Sequence, residues 1–528
     1  MTTAAAFTIL LCSMIVTVAS SAVNHRYLAG DPVPFYANKV GPYHNPSETY
    51  RYFDLPFCSP ERAKDKFEAL GEVLNGDRLV DSPYKVDFHV DVESKSVCRK
   101  KLTKEDVAKF RNAVSNDYYF QMYFDDLPVW GFIGKVDKDS QTDPRDYKYF
   151  LYSHIRFTIL YNNDRVIEID AHAAVDAVVD VTEDEDTEVE FLYSVKWEGT
   201  STPFASRMDR FLLPSMLPHQ LRIHWFSIIN SCGTVLLLVG FFGTILLRIL
   251  KNDFRRYAED DESGEDQDET GWKNIHGDVF RFPMNKSLFA AFIGSGTQLI
   301  ALTISIFILA IIGVFYPYNR GALFTALVVI YTLTSGIAGY VAANFYRQIE
   351  GTNWVCDALS RSFAHPAFNF LLILEIPQLP WCRGTVPQMA IAGFLPFSAI
   401  YMELYYVFTS IWGHRVYAVY SILFLTFVIL VIVTAFVTVT LTYFQLAAED
   451  HKWWWRSFLS GGSTGLFIYG YCFYYYYARS YMSGFMQTSF FFGYMACVSY
   501  GFFLMLGTVA FHSALCFVRY IYRSIKCE

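Results

Sequence analysis

The chain has 528 residues, 53% of them hydrophobic, 18% aromatic and only 18% charged, where an ordinary soluble protein carries about a quarter charged residues. That shortfall excludes a wholly water-facing globule, and the mild net charge of -8 gives no reason to expect nucleic acid as a partner. Long apolar runs lie almost entirely after residue 222 and most of the charge lies before residue 286, so a segment built for water precedes one built for lipid.

Residues 1–22 read as a secretory signal peptide: an apolar stretch, ILLCSMIVTV, runs into small residues, ASSA, with a cleavage site near Ser20 to Ala22. The polar Asn24, His25 and Arg26 follow at once, and no Lys or Arg precedes the apolar stretch. A retained anchor is the alternative.

Residues 23–220 form one lumenal domain. YKVDFHVDVES, VWGFIGKV, YFLYSHIRFTILYNN and RVIEIDAHAAV alternate apolar and polar residues and favour aromatic and β-branched types, which predicts a mainly-β, antiparallel domain. ERAKDKFEALGEVL and LTKEDVAKFRNAV have helical spacing, and the acidic VTEDEDTEVE reads as a solvated edge or loop. Of ten cysteines only Cys58 and Cys98 fall in this segment, so they are the candidate disulfide in an oxidising lumen.

Seven apolar segments in 223–518 are long enough to cross about 30 Å of hydrocarbon at 1.5 Å per helical residue. They are 223–249, 288–315, 322–345, 388–412, 416–444, 458–478 and 489–518. The fold class is thus a membrane protein, with a lumenal mainly-β domain followed by a polytopic α-helical transmembrane bundle. An acidic cytosolic loop, 250–287, separates the first two spans, and a cytosolic tail occupies 519–528. Arg and Lys cluster at one set of span ends (Arg248, Lys251, Arg255, Arg256, Arg347, Lys452, Arg456, Arg519, Arg523), and this bias puts those ends in the cytosol. FAHPAFNFLLILEIPQLP, bounded by Pro366 and Pro377 and carrying Glu375, is too short to span and reads as interfacial or re-entrant.

Six longer strings carry a resemblance. AGDPVPFYANKVGPYHNPSETYRYFDLPFC (29–58), HGDVFRFP (276–283), GTQ (296–298), YRQIEGTNW (346–354), LPFSAIYMELYYVFTSIW (395–412) and YFQLAAEDHKWWWRSF (443–458) resemble signatures of the nonaspanins in that family's order. These are the transmembrane 9 superfamily, also called the endomembrane protein 70 family. The resemblance runs from about residue 28 to the C-terminus and implies nine spans. Here only 26 residues separate Trp354 from Trp381, which implies that the fourth and fifth spans of the family are missing. Removing two crossings keeps the tail in the cytosol.

Lys526 and Glu528 match the family's terminal Lys-x-Asp/Glu pattern, which implies binding of a COPI-type coat and Golgi retention. Tyr522-Arg523-Ser524-Ile525 also fits a tyrosine endocytic signal, although it sits close to the membrane. Glu403 lies within a span beside Tyr401, Tyr405 and Tyr406, and an ionisable group at membrane depth is a candidate for proton or ion handling. A neutral glutamic acid bonded to a tyrosine or the backbone is the bland alternative. Gln298 and Asn344 read as interhelical hydrogen-bonding groups, and Gly294-Ser295-Gly296 and Ser335-Gly336-x-x-Gly339 as close helix contacts.

Glu449, Asp450 and His451 crowd together, but neighbours in sequence do not converge on one ion unaided. Trp453-Trp454-Trp455 reads as an interfacial aromatic belt, and Tyr469 to Tyr481 as the interfacial end of a span. No nucleotide-binding, nucleophile-elbow or zinc-protease motif is present, so the reading is non-enzymatic, with no cofactor and no metal site. The resemblance implies Golgi and endosomal trafficking, with lipid bilayer, coat proteins and membrane-protein clients as partners. The alternative is a transporter or channel using intramembrane polar residues such as Glu403.

Overall fold

A computed structural model describes residues 25–60, 64–66, 69–138, 147–209, 218–263, 271–273, 275–315, 321–349, 384–412 and 420–524. The signal segment 1–22, the segment 363–380 and the tail residues Lys526 and Glu528 lie outside the described residues.

The N-terminal part is mainly β. Its strands are β1 (Phe35–Pro42), β2 (Tyr50–Arg51), β3 (Val80–Asp81), β4 (Val92–Leu102), β5 (Tyr118–Phe124), β6 (Leu127–Phe132), β7 (Gly134–Asp137), β8 (Lys148–Tyr152), β9 (His154–Asn162), β10 (Arg165–Ala173), β11 (Val178–Asp180) and β12 (Thr187–Gly199). One sheet runs β2-β1-β5-β6 with β3 also on β1; a second runs β10-β9-β12-β4; a third runs β11-β8-β7. Every named pairing is antiparallel except β12 on β9, where Leu192 lies beside His154 and Gly199 beside Tyr161.

Local chemistry explains these elements. Along β12 the side chains of Val189, Phe191, Tyr193 and Val195 alternate inward, the period of a half-buried strand. The β5–β6 hairpin turns on Asp125 and Asp126, at φ 48° and 65°, a two-residue turn that short polar side chains tolerate best. Two short helices lie in this part: α1 (Leu70–Leu74) and α2 (Lys104–Ser115). Thr103 caps α2, accepting from the Asp106 N–H while the Asp106 carboxylate accepts from the Thr103 N–H. The helix buries Val107, Phe110, Ala113 and Val114. One core joins the two larger sheets: the Phe35 ring meets Phe124 and Phe157 edge-on, at 5.3 and 5.4 Å between centroids. Cys58 and Cys98 form a disulfide with Cα atoms 6.0 Å apart, tying the segment after β2 to β4.

The rest is helical: α3 (Pro218–Ser263), α4 (Lys286–Ile312), α5 (Ala322–Gln348), α6 (Thr385–Trp412), α7 (Tyr420–Ala447), α8 (Trp453–Gly462), α9 (Thr464–Arg479) and α10 (Phe485–Arg523). Among the described residues six helices are long and apolar enough to cross a membrane: the 229–256 part of α3, then α4, α5, α6, the 422–447 part of α7, and α10. The stretch 458–478, read above as one span, is divided at Ser463 between α8 and α9, each too short by itself to be among the six. Packing is close around this point. Gly461 abuts Ala510, Gly462 and Gly465 lie against Phe503, and the Ser463 hydroxyl donates to the Met389 carbonyl of α6 at 2.8 Å.

Glycines mark the seams between helices. A Cβ on Gly294 would stand 2.6 Å from the Ala338 carbonyl oxygen, and one on Gly296 would collide with Thr508. Gly336 and Gly339 instead meet no atom within 4 Å among the described residues. Gln298 donates to the Tyr331 carbonyl at 3.0 Å, bonding α4 to α5. The β domain rests on one end of the bundle. Gly71 of α1 lies against Gly321 at the start of α5, and Gln487 of α10 accepts from Asn45 at 2.9 Å.

Candidate functional site

The bundle end away from the β domain carries a clasp built from residues 271–285. At its centre the Asp253 carboxylate near the far end of α3 accepts from the Trp272 indole at 3.2 Å and from the Tyr443 hydroxyl of α7. The Tyr522 hydroxyl of α10 donates to the Trp272 carbonyl, and the Tyr522 ring meets Trp272 and Phe280 edge-on at 5.5 and 5.9 Å. Tyr522 is therefore engaged in the clasp, which removes the exposed, extended tyrosine that an endocytic signal requires.

The three tryptophans that open α8 are part of the same construction. The Trp453 indole donates to the Val279 carbonyl and the Trp455 indole to the Met284 carbonyl, both at 2.8 Å. Trp453 and Trp454 are buried, packed on Phe511 with centroids 5.9 and 5.5 Å away. They therefore do not form an interfacial belt. An indole N–H taken from water needs an acceptor, and the loop carbonyls supply it to Trp453 and Trp455, whereas the buried Trp454 N–H meets none among the described residues. By contrast Tyr477 and Tyr481, near the β-domain end, are largely exposed.

The acids before the tryptophans diverge. Glu449, at φ 61°, ends α7 and accepts from the Gly271 N–H at 2.9 Å. Asp450 pairs with Arg456, which also donates to Gln388 of α6 at 2.8 Å. Among the described residues no group of three or more His, Cys, Asp or Glu is placed to hold a metal ion. Beside Arg456 lies a narrow polar crevice lined by Gln388, Thr438, Thr442, Gln445 and Ser460, where the buried Thr438 hydroxyl and Gln445 amide nitrogen meet no hydrogen-bond partner among the described residues.

Glu403 sits on α6 with only 6% of its surface exposed, on the buried stripe that includes Ile400 and Leu404. Clasp and Glu403 are separate: the clasp joins the outer ends of α3, α7 and α10, whereas Glu403 lies well inside a helix. Sequence reasoning missed Asp253, Trp272 and Tyr443. Their only trace was that two of the family-like strings, HGDVFRFP and YFQLAAEDHKWWWRSF, meet at this point.

These features define a polytopic membrane protein whose β-rich domain sits on one end of a helical bundle braced at the other. The Endomembrane protein 70 family matches residues 49–375 and 374–485, and the chain belongs to that family. It is similar to Transmembrane 9 superfamily member 3 of Arabidopsis thaliana, 63% identical over 97% of each chain, and to member 5 of that plant, 42% identical over 97% of each. It is 42% identical to Transmembrane 9 superfamily member 1 of Bos taurus, over 95% of this chain and 94% of that one. The first alignment runs over 572 positions while this chain has 528 residues, so at least 44 aligned positions have no residue here. No solved structure matches. The chain is thus a multi-pass endomembrane protein whose relatives carry the names of membrane proteins rather than enzymes.

Proposed function

We propose that this chain is a non-enzymatic trafficking factor of Golgi and endosomes, sorting or localising other membrane proteins. The observation that carries the reading is full-length kinship with Transmembrane 9 superfamily members within the endomembrane protein 70 family. In this reading residues 1–22 are cleaved, the domain 23–220 is lumenal, and domain and bundle together engage client proteins. Lys526 and Glu528 recruit a COPI-type coat. Replacing both, Lys526→Ala with Glu528→Ala, is expected to shift the steady-state location toward later compartments. Unchanged Golgi residence of the double variant would sink the role of the tail.

The same reading holds that two of nine family spans are missing between α5 and α6. Two facts support it: at least 44 aligned positions of a relative lack a counterpart here, and the family match is interrupted at residues 374–375. Sequencing the transcript across the codons for Trp354 to Trp381 tests it, since an additional exon there would show the shortened form to be one product of several.

A second reading, transport, is favoured by one observation: the burial of Glu403 inside a spanning helix. Proteoliposomes of the wild type and Glu403→Gln, compared for pH-dependent flux, separate the two readings. A flux abolished by that change favours transport.

A further inference from the structure

Phe280, Phe282 and Met284 form the outer edge of the clasp, with the Phe280 ring also meeting Tyr522. They leave 42%, 38% and 77% of their surface uncovered, whereas Val279 between them and the bundle is fully buried. The loop that carries them is held at both ends, because the Val279 and Met284 carbonyls accept from the Trp453 and Trp455 indoles. The three side chains are thus displayed on a fixed support.

Their depth follows from chain continuity. Helix α4 begins at Lys286, two residues after Met284, and its 27 residues give about 40 Å of length against about 30 Å of hydrocarbon. The helix exceeds the hydrocarbon by about 10 Å, and the polar Asn285 and Lys286 at its start are the residues suited to the headgroup layer, with the loop just before them. The 250–287 loop as a whole is acidic, but within 280–286 both charged side chains are cations. Arg281 is exposed between the two phenylalanines, and the Lys286 ammonium lies 4.5 Å from the centre of the Phe282 ring while donating to the Ile349 carbonyl. Asp278 is the acid nearest along the loop, and it is exposed. Apolar side chains flanked by cations, held at the level of the headgroups, match a leaflet that carries anionic phospholipid.

We propose that residues 280–286 form an interfacial wedge that docks on the cytosolic leaflet: Phe280, Phe282 and Met284 enter the acyl boundary, and Arg281 and Lys286 select anionic headgroups. The sidedness rests on the cluster of Arg and Lys at these helix ends. The wedge is independent of the coat-binding tail, so either can fail without the other.

The test uses the full chain in proteoliposomes doped with a diazirine-bearing phosphatidylserine or, separately, the matching phosphatidylcholine, with adducts mapped by mass spectrometry. Adducts on the 280–286 segment are expected to favour the anionic probe. Arg281→Gln should lower that preference by about fivefold, the effect of one basic side chain near an anionic surface. Phe280→Ser with Phe282→Ser should lower labelling by both probes. Equal labelling by the two lipids in the wild type, or no labelling of this segment by either, overturns the proposal. Arg281 is exposed, so its replacement leaves the fold intact and the comparison readable.

Discussion

Arg207 and Asp125 face each other in the β domain, Nη1 to Oδ2 at 2.8 Å, with both side chains almost wholly buried. The same carboxylate accepts from the Tyr27 hydroxyl at 2.6 Å and lies 2.7 Å from the His25 ring nitrogen. One side chain in the β5–β6 turn thereby gathers the first described residues of the domain and its exit toward α3. Burial and the hydrogen bond to Asp125 hold the Tyr27 phenol well above its usual range, so it stays a donor. Asp125→Ala removes the carboxylate that faces a buried guanidinium and is expected to cost about 3–5 kcal/mol. Unfolding of the purified chain in denaturant measures it, and a cost below about 1 kcal/mol, the worth of a surface pair, would show the site to be solvated.

The Cys58–Cys98 bridge spans 40 residues of sequence, a loop whose closure is worth about 4 kcal/mol in the unfolded chain. Cys98→Ser should lower the thermal midpoint and increase retention in the endoplasmic reticulum. Equal midpoints for wild type and variant under non-reducing conditions would contradict this.

Trp453 is fully buried and its indole serves the Val279 carbonyl. Trp453→Phe preserves most of the packing but leaves that carbonyl unpaired, for an expected loss of about 1–3 kcal/mol. Trp453→Ala adds a cavity and should lose about 3–5 kcal/mol. Thermal aggregation in detergent should rank them wild type, Phe, Ala in falling stability.

Glycines in the bundle divide into two kinds. Gly461→Val must push Ala510 away and is expected to destabilise the bundle, whereas Gly336→Ala meets no neighbouring atom among the described residues and should be silent. Expression and monodispersity on size exclusion compare the two, and equal behaviour would refute the seam at Gly461.

His154 carries a pH dependence. Burial, with a smaller contribution from Arg156, lowers its pKa below the ordinary value of 6.5. As pH falls below about 6.5 the unfolded chain takes up the proton before the folded one, so stability present at neutral pH is lost through that window. The His154 ring also lies 3.1 Å from the Ser194 hydroxyl, a contact that Gln can imitate. The thermal midpoint of His154→Gln should therefore fall less than that of the wild type between about pH 7 and pH 5. Parallel curves would remove His154 from the account.

Much of the architecture was legible from local pattern. The alternation along Thr187–Gly199, the Thr103–Asp106 cap and the long apolar helices all follow from neighbours in sequence. The division at Ser463 was not legible, nor was the close approach of Gly461 and Gly462 to Ala510 and Phe503 of α10, residues more than 40 positions further along the chain. Nor was the burial of the tryptophans, since the carbonyls that accept from Trp453 and Trp455 belong to residues more than 170 positions earlier. Asp125 with Arg207, and Asp253 with Trp272 and Tyr443, are likewise pairings that only the folded chain brings together. Glu403 was visible as an ionisable residue in an apolar run, but its depth of burial was not.

The grip of Trp272 and Phe280 on Tyr522 also limits how far the following residues can travel. Three residues lie between Tyr522 and Lys526, so four residue-to-residue steps of fully stretched chain give a tether of about 14 Å at most. A coat subunit that gripped Lys526 as proposed would have to come down almost onto the clasp itself, and its footprint would meet the brace as well as the lysine.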